Sequence, residues 1–359
     1  MGHADGDQET ALAYQRAVLP DVSRTFALTI PELPASLELA VGNAYLLCRI
    51  ADTIEDDPAV ENDLRRELHA ELISVLEQNR CARSFADRAS TALGDATSTS
   101  ELNLVQDMPR VVAIYRQLSA AQRVAISTCV AKMCQGMPEY QHTEKAGGLD
   151  DVCELDRYCY HVAGVVGELL TELFCEHSDA IDANRPQLFA LAASFGQGLQ
   201  LTNIIKDVWD DQARGYCWLP RDIFNAQGYD LDRLAPDHDR KRFRAGIEQL
   251  VGIAHGHLQN ALHYTLLIPR SEPGIRRFCL WAIGLALLTL RRVQANPDYV
   301  SPDDVKVSRR AVAMVILCTR LASGSDRALR ALFRLAAQGL PRAPMDLSAM
   351  ALSSSRAAS

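Results

Sequence analysis

The chain has 359 residues and a formal net charge of −8, from 45 acidic and 37 basic side chains. Because binding to a phosphate backbone needs a surplus of Lys and Arg on some face, this balance argues against nucleic acid as a partner. Apolar residues make up 48% of the chain and charged residues 23%, which is typical of globular proteins and excludes a disordered chain.

The apolar residues of nearly every long segment recur at i, i+3, i+4 and i+7, which predicts an all-α fold. Residues 88–102, rich in Ser and Thr, are predicted to form a surface loop, and residues 211–222 a flap that follows an acidic cluster. The predicted helices, in chain order, cover 8–20, 35–56, 60–80, 109–136, 151–176, 185–211, 240–267, 274–294, 308–322 and 325–338.

No linker, fixed-period repeat or shift in composition divides the sequence, so we predict a single domain over 1–359, with flexible tails at 1–10 and 342–359. The start of the chain lacks the apolar core of a signal peptide, and the cysteines form no CxxC pair. We therefore expect a cytoplasmic protein with free thiols. The most apolar run, Phe278–Leu290, would span roughly 20 Å as a helix, which favours a buried core helix over a membrane span.

A first polar stripe is predicted on the helix at 35–56. Tyr45, Arg49, Asp52 and Asp56 follow one another at spacings of four, three and four residues and therefore share a helix face. The residues before them are apolar or small, which indicates a helix buried on most sides with this stripe facing an interior space.

A second stripe on the helix at 185–211 repeats the pattern with Gln200, Asn203, Asp207 and Asp211. Neither stripe contains a Lys partner, and carboxylates four residues apart repel one another and are costly to bury. A divalent cation removes that repulsion, and Mg²⁺ typically binds one or two carboxylates together with phosphate oxygens. The stripes thus favour Mg²⁺ sites for a diphosphate, the alternative being two ordinary solvated helix faces.

Four ordered motifs support a more specific interpretation: SRTFALTIPELP (23–34), YLLCRIADTIEDD (45–57), YCYHVAGVVGELL (158–170) and GQGLQLTNIIKDVWDDQARGYCWLP (196–220). Together they resemble the squalene/phytoene synthase family of head-to-head prenyl transferases, and most of all its soluble bacterial members, over about 22–310. The resemblance implies helices around a central cavity, two facing aspartate motifs, and two molecules of farnesyl diphosphate bound through Mg²⁺.

The resemblance also implies roles for individual residues. The expected metal ligands are Asp52, Asp56, Asp207 and Asp211, with Glu55, Asp57 and Asp210 as weaker candidates. The expected substrate-binding residues are Ser23, Arg24, Phe26, Arg49, Gln200 and Asn203. The expected catalytic residues are Tyr45, Arg49, Tyr160 and His161. Phe26, Tyr45, Tyr158, Tyr160 and Phe195 are candidate aromatic walls for a carbocation, or else ordinary core residues.

Members of the family differ in how the second half of the reaction ends. Some reduce the cation derived from presqualene diphosphate with NADPH to squalene, whereas dehydrosqualene- and phytoene-forming members lose a proton. Residues 303–317 resemble the basic segment of the reductive members, in which Lys306, Arg309 and Arg310 would bind NADPH. Ser308 stands where those members usually have a basic residue. The reductive function is the favoured prediction, the proton-losing function is the alternative, and a non-catalytic prenyl-lipid-binding protein is the second alternative.

The order of two residues departs from the family pattern. Eukaryotic squalene-forming members read YCHY where this chain reads YCYH at 158–161, as if Tyr160 and His161 were exchanged. His161 as a base, Tyr160 as a base, and a structural histidine remain open interpretations.

Two further features concern packing and membrane contact. The glycines of GQGLQL at 196–201 predict close approach of another helix or of a ligand chain to the backbone. Residues 325–338 carry Arg327, Arg330 and Arg334 opposite an apolar face that includes Leu329 and Phe333. This pattern fits either a peripheral membrane anchor or an ordinary covering helix.

Overall fold

A computed structural model describes residues 2–23, 25–144 and 147–342. Over these residues the chain is all-α, as predicted, with no β-strand and one isolated bridge between Leu149 and Pro220. Arg24 and residues 343–359, which include most of the predicted C-terminal tail, lie outside the described residues.

Seventeen α-helices account for most of the described chain. The first nine are α1 Gly2–Val22, α2 Phe26–Thr29, α3 Ala35–Asp56, α4 Asn62–Leu76, α5 Ala82–Ala92, α6 Thr99–Gln106, α7 Met108–Gln117, α8 Ala120–Gly136 and α9 Val152–Cys159. The others are α10 Val165–His177, α11 Asp179–Asp182, α12 Arg185–Ala213, α13 Arg221–Ala226, α14 Arg240–Leu267, α15 Pro273–Ala295, α16 Arg309–Ala322 and α17 Asp326–Ala336.

The chain falls into two compact units. The N-terminal unit comprises Met1–Glu139 and Leu169–Ala183, and the C-terminal unit comprises Tyr140–Glu168 and Asn184–Ser359. The first predicted stripe therefore belongs to the N-terminal unit and the second to the C-terminal unit. A single domain over the whole chain stays a prediction.

Helix α3 forms the centre of the N-terminal unit. Leu46, Leu47, Ile50 and Ile54 are fully buried, and burial of each such side chain contributes roughly 1.5–3 kcal/mol. The buried amide of Asn43 donates a hydrogen bond of 2.9 Å to the carbonyl oxygen of Val111, so this polar group has a partner in the core. The sequence-based expectation that α3 is buried on most sides is correct.

Helix α12 packs backbone to backbone in the C-terminal unit. A β-carbon on Gly198 would lie 2.9 Å from the β-carbon of His257 on α14, and one on Gly167 of α10 would lie 1.9 Å from the carbonyl oxygen of Ala192 on α12. Side chains at these positions would prevent the helices from approaching. The close approach predicted from the GQGLQL glycines is thus present between helices.

Three predicted boundaries need correction. The Ser/Thr-rich stretch 88–102 is not one loop, because α5 continues to Ala92 and Ser98 caps α6 in a capping box with Glu101. The predicted helix 109–136 is two helices, since Ser119 caps α8 in the same way with Gln122. The predicted helix 151–176 contains a π-helical turn at Tyr160–Gly164, which we call the π-turn.

Two of the described helices, α12 and α15, are long and apolar enough to cross a membrane. In each helix, 67% of the most apolar stretch of 18 residues is buried inside the protein, which is typical of a core helix. The prediction of a core helix around Phe278–Leu290 agrees with this burial.

The predicted interfacial helix 325–338 corresponds to α17. Its apolar face points into the protein, because Leu329 and Phe333 are 2% and 8% exposed. The apolar face of α17 therefore covers the core of the protein, as in the second of the two interpretations, and is not available to insert into a membrane.

Candidate active site

The first stripe lies on α3 as predicted and is joined to the segment that follows α1. The Tyr45 hydroxyl donates a hydrogen bond of 3.1 Å to the carbonyl oxygen of Val22. The ring of Phe26 lies 5.1 Å from the ring of Tyr45, and the Ser23 hydroxyl accepts a 3.1 Å hydrogen bond from the amide of Phe26. The structure thus brings Ser23, Phe26 and Tyr45 together.

Arg49, one turn further along α3, forms an ion pair with Glu101 of α6. Glu101 also completes the capping box with Ser98, so the start of α6 positions it. Sequence reasoning missed Glu101, although Ser-x-x-Glu before an apolar run is the signal of a helix start. The arginine therefore lies beside the acidic stripe with its orientation fixed by a carboxylate from another helix.

The ionisation of Asp52, in the first stripe, is strongly perturbed. Burial raises its pKa to about 7, and the neighbouring charge of Asp56 acts in the same direction, while Arg49 opposes the shift. The ionised form of Asp52 thus lacks full compensation within the protein. A cation at this stripe would supply it, so the residues present fit a metal ion.

Asp57 has a structural role in the N-terminal unit. Its buried carboxylate accepts hydrogen bonds from the amides of Ala59 at 2.8 Å and Gly94 at 2.9 Å, and from the hydroxyl of Thr97. These bonds tie the loop between α5 and α6 to the end of α3. Among the weaker candidates, Asp57 is accordingly a loop-fixing residue.

Glu55 lies beside a buried histidine. Its carboxylate is 3.8 Å from Nδ1 of His69, whose pKa is lowered by burial to about 4. A neutral imidazole therefore borders the first stripe from α4.

The second stripe on α12 is more heavily paired than the sequence indicated. Lys206 Nζ lies 3.1 Å from the Asp207 carboxylate, and Arg214 donates to Asp211 at 2.5 Å. The expectation that this stripe has no lysine partner is wrong, because Lys206 is adjacent to Asp207 in the chain and its flexible side chain reaches the carboxylate.

Burial raises the pKa of Asp207, and the charge of Asp210 adds to this, whereas Lys206 lowers it. Gln200 is half-buried and Asn203 is exposed on the same helix. Asp207 and Asp211 are both half-buried, so their oxygens remain accessible to a ligand.

The segment predicted as a flap carries a stack of aromatic rings. Trp218 stacks on Tyr158 with centroids 4.2 Å apart and on Tyr216 at 5.7 Å. Leu149 donates to the carbonyl oxygen of Leu219 at 2.9 Å and accepts from Arg221 at 2.8 Å. The segment is therefore fixed at one end of the stack. Its aromatic residues, Tyr216 and Trp218, were missed because the sequence offers no signal for stacking.

Tyr160 and His161 begin the π-turn. Tyr160 is buried, and its hydroxyl donates a 3.0 Å hydrogen bond to Glu168 of α10. The His161 ring is half-buried, 6.2 Å from the ring of Tyr140. Phe195, another predicted wall residue, is buried against Tyr264 at 5.6 Å. Single-turn π-helices are frequent at functional sites.

The predicted cofactor residues lie at the start of α16. Lys306, Arg309 and Arg310 are exposed, and Lys306 pairs with Asp303 at 2.8 Å. Ser308 accepts a hydrogen bond from the amide of Ala311 and caps the helix, which explains a serine where a basic residue was expected. Basic side chains at a helix start fit the phosphates of a dinucleotide.

Neither stripe forms a complete metal cage. In 2–23, 25–144 and 147–342, no group of three or more His, Cys, Asp or Glu residues is arranged to hold a metal ion. Each stripe instead offers one or two carboxylates, which is the arrangement in which Mg²⁺ takes its remaining ligands from water and phosphate.

An all-α fold with two acidic helix stripes, a nearby arginine and aromatic surfaces defines an enzyme of the type that handles prenyl diphosphates. The family description "Squalene/phytoene synthase" matches residues 19–311, and the chain belongs to this family.

Individual relatives agree with this assignment. The squalene synthase of Eremothecium gossypii is 30% identical over 324 residues, covering 89% of this chain and 70% of the relative. A ligand complex of TcSQS has a TM-score of 0.74 at 22% identity and 97% coverage of both chains. A dehydrosqualene synthase has a TM-score of 0.63 at 19% identity, covering 89% of this chain and 98% of its own. These two structures support the fold.

Proposed function

We propose that this enzyme joins two molecules of farnesyl diphosphate head to head to presqualene diphosphate and then reduces that intermediate to squalene with NADPH. The observation that carries the proposal is the pair of acidic stripes on α3 and α12, in a chain similar to squalene synthases along 89% of its length. The prenyl transferase reaction releases an anionic diphosphate, which acidic side chains can hold through bound cations.

Asp52 and Asp56 of the first stripe, and Asp207 and Asp211 of the second, would hold Mg²⁺. The bound ions supply charge stabilisation for the departing diphosphate. Arg49 adds a positive group beside the first stripe, and its ion pair with Glu101 keeps the guanidinium in place. Ser23 and Arg24 are proposed to bind the same diphosphate, Arg24 lying outside the described residues.

The aromatic residues are proposed to protect the carbocations. Phe26 and Tyr45 in the N-terminal unit, and Tyr158 with Trp218 in the C-terminal unit, present ring faces that exclude water and attract positive charge. Gln200 and Asn203 are proposed to orient substrate beside the second stripe.

Proton removal in the first half-reaction is proposed to involve the π-turn. The Tyr160 hydroxyl already donates to Glu168, so its oxygen can accept a proton from the substrate as its own proton passes to this carboxylate. His161 is the other candidate base, because a neutral imidazole nitrogen can accept a proton.

NADPH is proposed to bind through Lys306, Arg309 and Arg310 at the start of α16, where exposed positive charge and helix amides favour phosphate. We further propose that the enzyme is cytoplasmic and contacts the membrane peripherally, because its product would be a hydrocarbon.

The decisive experiment supplies purified protein with farnesyl diphosphate and Mg²⁺, with and without NADPH, and separates the products by chromatography and mass spectrometry. Squalene is expected only with NADPH. The same hydrocarbon in both reactions would contradict the reductive function and favour a dehydrosqualene- or phytoene-type synthase. That function is the second candidate, because the fold is also similar to that of a dehydrosqualene synthase. Binding without turnover would indicate a prenyl-lipid carrier.

A further inference from the structure

The last part of the described chain is rich in basic residues and contains few acidic ones. From Lys306 to Arg342 there is a single acidic residue, Asp326, against eight basic ones: Lys306, Arg309, Arg310, Arg320, Arg327, Arg330, Arg334 and Arg342. Asp326 itself is paired with Arg270 at 2.7 Å and with Arg276 at 2.6 Å. This segment thus has a net charge of +7 in a chain of −8, which leaves −15 on the rest.

The same segment exposes large apolar side chains. Met314, Leu317 and Leu321 of α16 are 58%, 53% and 81% exposed, and their spacings of three and four residues place them on one face. Leu335 of α17 is 63% exposed. These four make up most of the seven large hydrophobic residues that are exposed among the described side chains. We call them, with the surrounding arginines, the α16–α17 surface.

An apolar groove opens beside these side chains. It has a volume of about 260 Å³ and lies between α15, α16 and α17, with Met314 and Leu335 among its lining residues. Arg291 also lines it and donates a hydrogen bond to the carbonyl oxygen of Leu335. The exposed leucines therefore adjoin an apolar recess with a cationic group at its edge.

Charge decides which partner fits this surface. Two copies of so basic a surface would repel each other, and a nucleic acid offers nothing to cover the leucines. An anionic bilayer meets both requirements, because each basic residue near such a membrane contributes roughly 1 kcal/mol and exposed leucines enter its apolar region. The groove can receive part of an acyl chain.

We propose that the α16–α17 surface docks on anionic lipid bilayers, with Leu317, Leu321 and Leu335 entering the membrane and the arginines of α17 binding lipid phosphates. This proposal rests on the proposed function and specifies its peripheral membrane contact. The side chains that carry the docking, Leu317, Leu321, Leu335 and the arginines of α17, have no assigned part in the reaction.

The test uses the full chain and vesicles of phosphatidylcholine with or without phosphatidylglycerol, and measures bound protein by sedimentation at low and high salt. Binding is expected to the vesicles with phosphatidylglycerol and to weaken strongly in high salt. The double variant Leu317→Ser, Leu321→Ser should lower the partition coefficient at least about tenfold. The triple variant Arg327→Gln, Arg330→Gln, Arg334→Gln should lower it by about a hundredfold at low salt.

The matched controls are Val124→Ser, at a site 64% exposed in the N-terminal unit, and Arg83→Gln, at an exposed site on α5. Both should bind like the wild type. Circular dichroism verifies folding, and turnover in detergent solution should stay unchanged in every variant, so that loss of docking is distinguished from loss of the proposed reaction. Equal binding to both kinds of vesicle, unchanged binding of the variants, or a concentration-dependent dimer abolished by the leucine changes would each overturn the proposal.

Discussion

A β-carbon on Gly196 would lie 2.0 Å from the carbonyl oxygen of Ala163, so α12 meets the π-turn at a distance that only glycine allows. Gly196→Ala is expected to destabilise the protein by at least about 3 kcal/mol, because backbone atoms cannot move aside as a flexible side chain would. Urea unfolding followed by circular dichroism measures this. Gly324→Ala is the control, since no atom lies within 4 Å of its added carbon. Equal stability of the two variants would contradict the packing.

Asp52→Asn and Asp207→Asn should each lower turnover by at least about a thousandfold while leaving the helical circular dichroism intact. In Mg²⁺-free buffer near pH 8, Asp52→Asn should also raise the melting temperature, because it removes an ionised carboxylate whose pKa is raised to about 7 by burial and by Asp56. Normal turnover in either variant would show that the metal sites are misassigned.

Asp57→Asn should lower the stability of the protein without changing its dependence on Mg²⁺, in contrast to Asp52→Asn. The substitution weakens the hydrogen bonds to Ala59, Gly94 and Thr97, so a stability loss of about 2 kcal/mol is expected. The concentration of Mg²⁺ that gives half-maximal activity should stay that of the wild type. A large shift in this concentration would mean that Asp57 takes part in metal binding after all.

His257 should make stability depend on acid pH. Burial lowers its pKa from 6.5 to about 4, so between these values the unfolded chain binds a proton that the folded protein does not. Its contribution to stability is complete above pH 6.5 and falls by about 1.4 kcal/mol per pH unit as the pH drops towards 4. Denaturant titrations of the wild type and His257→Asn over this range should converge as the pH falls. His263→Asn, at an exposed site on the same helix, is the matched control.

Tyr160→Phe and His161→Ala test the π-turn chemistry. Loss of presqualene diphosphate in either variant, with farnesyl diphosphate binding retained, is expected for the residue that removes the proton. Product analysis by mass spectrometry and binding by calorimetry make the two measurements. Wild-type rates in both variants would remove the π-turn from the mechanism.

The sequence was sufficient for the features that repeat along a helix. The period of apolar residues predicted the ends of α3 and α14, and the spacing of Tyr45, Arg49, Asp52 and Asp56 predicted the stripe. It was insufficient where a side chain reaches another element. The ion pair of Arg49 with Glu101 joins residues 52 positions apart, and the bonds of Asp57 to Gly94 and Thr97 depend on a loop between two helices that had themselves been missed.

The contact of Lys206 with Asp207 was missed for a different reason. Neighbouring residues on a helix point in different directions, but a lysine side chain is long enough to turn back. A rule based on helix faces therefore underestimates the pairing of a short acidic residue with a long basic neighbour.

The π-turn also affects how motifs are compared between relatives. A π-turn inside an α-helix holds one residue more than the surrounding turns, so it shifts the angular position of every residue that follows it. For residues after Gly164, the number of positions from the start of YCYHVAG therefore does not give the direction in which a side chain points. Deleting Gly164 would restore a regular helix and rotate α10, with Glu168, relative to Tyr158. A relative that lacks the extra residue would thus match this chain up to His161 and still present a different face of the helix that follows.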